Sequence, residues 1–317
     1  MITGSWAFAL NLLSMAALLG LACVVLQLLT APLIQQAGTR APLEQKWLIL
    51  SWAVLPWMLT LLLVILGGLS SSVDNNTVQG APGLIHWHHT EEFAVTAWHS
   101  WFLSAVGLWL TFRMGRFAYN QWRIHQRLQL LREQALATPD STIRILPTRN
   151  VVAMTVGYFQ ADIYLSQGLL DQTTPHQQAI ILAHEHAHVR QFDNLSRWLL
   201  MLLTCPLPAI LRTPVLDRFT LATEQLADSR VTRDTDAADI AETLVNIARL
   251  CHQTDRANQA AFVAAEQLRE RVSELLTPSR PSALKLSLLP LAMLFTGAAV
   301  LSAVDALHHF FDIFLAH

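Results

Sequence analysis

The sequence predicts a membrane α-helical protein with four transmembrane helices and a cytoplasmic α+β domain inserted between the third and fourth. Three observations predict it. The chain of 317 residues is 53% hydrophobic and only 14% charged, against about 25% charged in ordinary soluble domains. Four long stretches carry no Asp, Glu, Lys or Arg: Trp6–Leu29, Trp47–Leu69, Phe93–Phe112 and Leu286–Val304. The basic residues, finally, all fall on one side of those stretches.

Each stretch is long enough to cross a bilayer core of about 30 Å as a helix. A buried core helix is the alternative for each. Trp6–Leu29 is read as a retained anchor, because no Lys or Arg precedes it and its apolar run exceeds that of a signal peptide. Arg40 and Lys46 follow the first span, and residues 70–92 hold no Lys or Arg. Arg113, Arg116, Arg123, Arg127 and Arg132 follow the third, and Lys285 precedes the fourth. The positive-inside rule puts these residues in the cytoplasm and both termini outside. The expected layout is three spans in 1–112, a cytoplasmic domain over 113–285, and a fourth span with a short outer tail over 286–317. A net charge of −2 argues against a nucleic-acid partner. Cys23, Cys205 and Cys251 lie far apart and suit neither a disulfide framework nor a CxxC metal knuckle.

Within the cytoplasmic segment, Phe117–Ala137 reads as a helix continuing the third span. Short β-like runs follow at Thr142–Leu146, Val151–Thr155 and Asp162–Leu165. Thr174-Pro175 reads as a cap with Pro at the first helical position, opening a helix through His188. Further helices are expected at Asp217–Thr232, Ala237–Cys251 and Ala260–Leu276. Trp198–Leu211 is apolar but broken by Pro206 and Pro208. It is expected to dip into the inner leaflet, pack against the spans, or form a core helix.

The chemistry lies in His184-Glu185-His186-Ala187-His188. On a helix, His184 and His188 stand one turn apart on one face and can reach one metal ion. Glu185 sits about 100° round, where it can hold a water on that metal. His186 faces away and is read as a packed or capping histidine. A zinc catalytic site needs three protein ligands and an open position. Glu224 and Asp228 share a helix face at i, i+4 spacing. Glu224 can ligate the metal while Asp228 accepts the second N–H of a ligand histidine. A solvated acidic face paired with Arg218 and Arg230 is the other reading.

The run Thr155-Val156-Gly157-Tyr158-Phe159, then Asp162-Ile163-Tyr164-Leu165-Ser166-Gln167-Gly168-Leu169-Leu170, then the HEHAH motif, Asp193 and the ExxxD pair, resembles the BlaR/MecR-type family of integral-membrane zinc peptidases. Leu268–Leu276 is similar to that family's late helix. The resemblance implies a zincin-type, gluzincin-like peptidase domain binding one Zn2+ per chain through His184, His188 and Glu224, with Glu185 as catalytic base. It adds Asp193 as a further carboxylate behind the ligands. Beta-lactam receptors of the family carry a penicillin-binding sensor after the last span; no S-x-x-K module, and no sensing by acylation, is expected here.

The implied activity is hydrolysis of a peptide bond in a cytoplasmic or membrane protein at the inner membrane. A signalling role is expected, with a winged-helix repressor as first candidate substrate and self-cleavage as another. Asp162, Ile163, Tyr164 and Leu165 are read either as a substrate-binding edge strand or as purely structural, and Tyr164 as a candidate oxyanion donor. Expected partners are the protein substrate and the bilayer; a homo-oligomer stays open. His86, His88 and His89 in the outer loop, and His308, His309 and His317 in the tail, are read as interfacial or as a metal or pH sensor. Two alternatives stand beside the leading one: an HtpX/Ste24-like quality-control protease, and a non-catalytic transducer with structural zinc.

Overall fold

The computed structural model describes residues 2–35, 41–73, 92–93, 95, 98–138, 142–254 and 259–279. The expected fourth span, the outer histidines and the C-terminal tail lie outside them.

Two long helices open the chain, α1 (Ser5–Gln35) and α2 (Pro42–Val73). A short antiparallel pair, β1 (Ile2–Thr3) with β2 (Glu92–Phe93), lies beside them. Among the described residues, α1 and α2 are long and apolar enough to cross a membrane. Leu29, Leu33, Trp47 and Leu61 are left on the outside of this pair. Its inner face buries Val24, Ala31, Leu48, Ile49 and Trp52. Polar groups there bond across the helices: the Trp52 indole N–H donates to Thr30 Oγ1 at 2.8 Å, and Gln27 Nε2 to the Ala53 carbonyl at 3.3 Å. Pairing of this kind is what buried polar side chains require.

Of the expected third span, Phe93 lies in β2 and the residues from Trp98 on are helical. The helix runs unbroken through α3 (Trp98–Gln134), with no boundary where apolar residues give way to basic ones. Four strands follow: β3 (Leu136–Ala137), β4 (Ile143–Leu146), β5 (Ala153–Val156) and β6 (Asp162–Ser166). They form one sheet in the order β3-β4-β6-β5. β4 and β6 are parallel, while β5 runs antiparallel to β6 with Thr155 opposite Ile163. The remaining elements are helical: α4 (Gln167–Gln172), α5 (Pro175–Gln191), α6 (Asp193–Leu203), α7 (Ala209–Val231), α8 (Ala237–Thr254) and α9 (Gln259–Leu276).

Ile163 and Leu165 project from β6 onto Leu169 and Ile181, which seats α5 on the sheet. Gly168 makes this seat possible. A β-carbon there would stand 2.0 Å from the Arg149 carbonyl oxygen, closer than any side chain permits.

The broken segment 198–211 packs against the first two helices. α6 ends at Leu203, a turn carries Pro206 and Pro208, and α7 begins at Ala209. Leu200, Leu207, Val215 and Phe219 share one apolar core with α1 and α2. The Trp57 indole N–H donates to the Leu203 carbonyl at 3.1 Å. The Arg113 guanidinium, from α3, bonds the carbonyls of Cys205 and Leu207 and so satisfies the turn. α6 and α7 thus share one hydrophobic core with the apolar helices, while Ile180 and Ile181 of the helix through His184 pack in two separate clusters.

Candidate metal centre

α5 starts with a capping box. Thr174 Oγ1 accepts from the Gln177 N–H at 3.3 Å, and Gln177 Oε1 accepts from the Thr174 N–H at 3.1 Å. Pro175 takes a position whose N–H has no helical partner. The helix ends at Phe192, whose φ of 50° is the only positive value at a non-glycine among the described residues. A left-handed residue with a side chain costs about 1–3 kcal/mol. The kink turns the chain straight into α6 and returns Asp193 towards His188.

The 3.6-residue repeat places the two histidines as expected. Their Nε2 atoms face each other at 3.1 Å. Glu224, from α7, brings Oε2 to 3.3 Å from His184 Nε2 and Oε1 to 3.6 Å from His188 Nε2. One donor atom from each of the three residues lies within 4.8 Å of the others. Both Nδ1 atoms are engaged by carboxylates, His184 with Asp228 at 2.9 Å and His188 with Asp193 at 2.7 Å. An Nδ1–H given to a carboxylate leaves Nε2 as a lone pair. Two lone pairs and a carboxylate converging on one point fit a cation, and two nitrogens with one oxygen is a donor set zinc accepts.

Charge in the cluster is balanced by Arg271 of α9. Its Nε and Nη2 grip both oxygens of Asp228 at 2.8 Å each, and its Nη1 meets Glu224 Oε2 at 3.0 Å. Burial pushes both carboxyls up, but Arg271 and His184 outweigh it and hold both below the usual carboxylate range. Burial likewise opposes charge on His184, yet its bonds to Asp228 and Glu224 push the metal-free imidazole up to about 9. Asp228 is 1% exposed, so a solvated acidic face does not describe it. Arg218, one of the residues that reading needed, pairs with Glu270 at 3.0 Å instead.

Glu185 is buried beside the cluster. Thr155 Oγ1 donates to its Oε2 at 2.6 Å. That bond fixes the carboxylate and leaves Oε1 for other work. His186 stays outside the cluster. A cavity of about 470 Å³ opens over His184, Glu185 and Glu224, bounded by Thr155 on β5 and by Leu244 and Ile247 on α8.

The expected substrate strand is corrected here. β6 is an interior strand, paired with β4 on one side and β5 on the other, so Asp162–Leu165 has no free edge. Ile163 and Leu165 are core residues, and Asp162 pairs with Arg144 at 2.8 Å. Tyr164 is 3% exposed and, by strand alternation, faces away from α5 on the side of Arg144. It does not border the cavity and cannot serve an oxyanion there. Of the two edge strands, β3 and β5, it is β5 that borders the cavity. Asn194 of α6 holds part of that edge, donating to the Thr155 carbonyl at 2.8 Å and the Gly157 carbonyl at 3.2 Å.

Three further residues of the site have no local sequence signal of their role. Thr155 and Arg271 sit inside segments that carried the family resemblance, so their position in a motif was the available clue. Lys46 of α2 is the third. Its Nζ lies 2.5 Å from Asp193 Oδ1, with both side chains buried.

A family model described as "Peptidase family M48" matches residues 118–277. The chain belongs to peptidase family M48. Members of this family are zinc-dependent metallopeptidases, and the His184, His188 and Glu224 cluster lies within the matched region. This M48 chain is also similar to the Protease HtpX of Pseudomonas fluorescens, at 32% identity over 83 residues. That match covers 26% of this chain and 28% of the relative, so the chain spans well under a third of the curated relative it matches.

Proposed function

We propose that this M48 peptidase is an integral-membrane zinc endopeptidase that cuts a cytoplasmic or membrane protein at the inner face of the cell membrane. The observation that carries the reading is the convergence of His184, His188 and Glu224 beside a buried, hydrogen-bonded Glu185. A non-catalytic structural zinc would need no carboxylate held in that position.

His184 Nε2, His188 Nε2 and a Glu224 oxygen would hold the metal. Zinc, when bound, supplies a Lewis acid and brings the pKa of a water towards neutrality. Glu185, pinned through Oε2 by Thr155, takes the proton of the attacking water on Oε1 and returns it to the departing amide nitrogen. Asp228 and Asp193 keep both imidazoles in the orientation and tautomer that ligation requires. The β5 edge offers main-chain groups to an extended substrate.

The topology proposed is three spans before the peptidase domain and one after, with both termini outside. Support comes from the one-sided distribution of basic residues and from Lys46, which meets the peptidase domain at the α2 end expected in the cytoplasm. Two roles are supported by different observations. The HtpX similarity favours a quality-control protease. The T-x-G, G-L-L and late-helix resemblance to BlaR/MecR peptidases favours regulated cleavage, for example of a repressor.

The test is a comparison of new protein termini in cells expressing the wild-type chain or Glu185→Gln. Wild-type-specific termini in many membrane proteins would support quality control. One cut in one cytoplasmic regulator would support signalling. Identical termini in both would contradict the endopeptidase reading.

A further inference from the structure

We propose that Lys46, on the second apolar helix, is a positioning residue for the metal ligand His188, acting through Asp193. It rests on the zinc-peptidase reading above and adds that the metal centre is assembled partly by the membrane-anchoring region.

The geometry is a three-membered chain. Lys46 Nζ engages Asp193 Oδ1 at 2.5 Å, and Asp193 Oδ2 engages His188 Nδ1 at 2.7 Å. Each carboxylate oxygen therefore has its own partner on opposite sides. Rotation of the Asp193 carboxylate would break one of the two bonds, so Lys46 fixes the plane in which Asp193 meets the imidazole. His188 Nε2, at the other end of the ring, is thereby aimed at Glu224 and His184.

Stability alone is a poor reason for this lysine. Lys46 is 5% exposed and Asp193 6%, and taking two charges out of water carries a desolvation cost that their attraction often fails to recover. Around it, α2 buries Leu48, Ile49, Leu50, Trp52 and Ala53 against α1, α6 and α7. An apolar side chain at position 46 would serve that packing. A cation serves the carboxylate.

The backbone points the same way. Asp193 follows the left-handed Phe192 directly and is the first residue of α6. α6 in turn lies against α2 through the Trp57–Leu203 bond and the shared core. A shift of α2 along α6 would reach His188 through this one side chain.

The experiment is zinc affinity of the full-length protein by chelator competition, with metal-free thermal unfolding measured in parallel. Lys46→Met is expected to weaken zinc binding by about 10- to 100-fold, the usual effect of losing a partner behind a ligand. Lys46→Arg, which keeps a cation able to reach Oδ1, is expected to recover most of that loss. Lys46→Met combined with Asp193→Asn is expected to be no weaker than Asp193→Asn alone, because both lie on one path. Wild-type affinity in Lys46→Met, or additive losses in the double variant, would overturn the proposal. Should Lys46→Met fail to fold, Lys46→Gln supplies the comparison, with weakened binding expected and wild-type binding overturning it. A wild-type protein that binds no zinc would instead overturn the metallopeptidase reading on which this rests.

Discussion

Replacing Glu185 by Gln is expected to abolish peptide cleavage while leaving zinc in place. Glu185 is not among the converging metal donors, so the variant should bind the ion with wild-type stoichiometry. What is lost is the acceptor of the proton from the attacking water. General acid–base groups are worth about 10²- to 10⁴-fold, and here one carboxylate serves both proton transfers, which places the loss at the upper end. The carboxamide is close to isosteric, so Thr155 Oγ1 still has an oxygen to meet. Cleavage of a protein substrate in detergent, beside zinc content of the same preparation, is the measurement. Retained cleavage would remove Glu185 from the mechanism; lost zinc would make it structural.

The second large effect is expected at Arg271. Its guanidinium binds both oxygens of Asp228 and one of Glu224. Arg271→Ala leaves Asp228 buried with a single partner, His184, and removes one of the cations beside Glu224. Breaking a buried ion pair from one side costs about 3–5 kcal/mol. Thermal unfolding should therefore drop sharply in Arg271→Ala. Arg271→Lys should fall between, since an ammonium supplies charge without the two-pronged grip. Unfolding of Arg271→Ala at the wild-type temperature would show that Asp228 draws its stability from elsewhere.

Much of the fold is legible locally. Apolar runs at 6–29 and 47–69 become α1 and α2 because length and hydrophobicity alone define such helices. The helix through His184 is signalled by the Thr174-Pro175 cap, and its end lies about one turn beyond His188, where Phe192 adopts a conformation that no side-chain pattern announces. The shared faces of His184 with His188 and of Glu224 with Asp228 follow from two helical spacings, each internal to one element. β4, β5 and β6 are also visible as short β-rich runs, whereas β3 (Leu136–Ala137) falls at the end of the stretch read as helix over Phe117–Ala137.

What is illegible depends on pairing between distant elements. The run of β6 reads either as a substrate-binding edge strand or as a purely structural one, since alternation reports faces, not neighbours. Its neighbours are set by the parallel return of the chain to β4 and by the β5 hairpin closing the other side. The same blindness explains Tyr164, whose face turns away from α5 once Ile163 and Leu165 take the core. Lys46 and Asp193 are separated by 147 positions along the chain, and nothing around Lys46 distinguishes it from a topogenic charge. Arg271 meets Asp228 only because α9 folds onto α7.

The most direct test of the central claim is zinc content per chain in detergent for the wild type and Glu224→Ala. The account predicts close to one zinc in the wild type and a large loss in the variant, with the variant still folded. Absence of zinc from a folded wild type, or full retention in Glu224→Ala, would contradict a metal centre built from His184, His188 and Glu224.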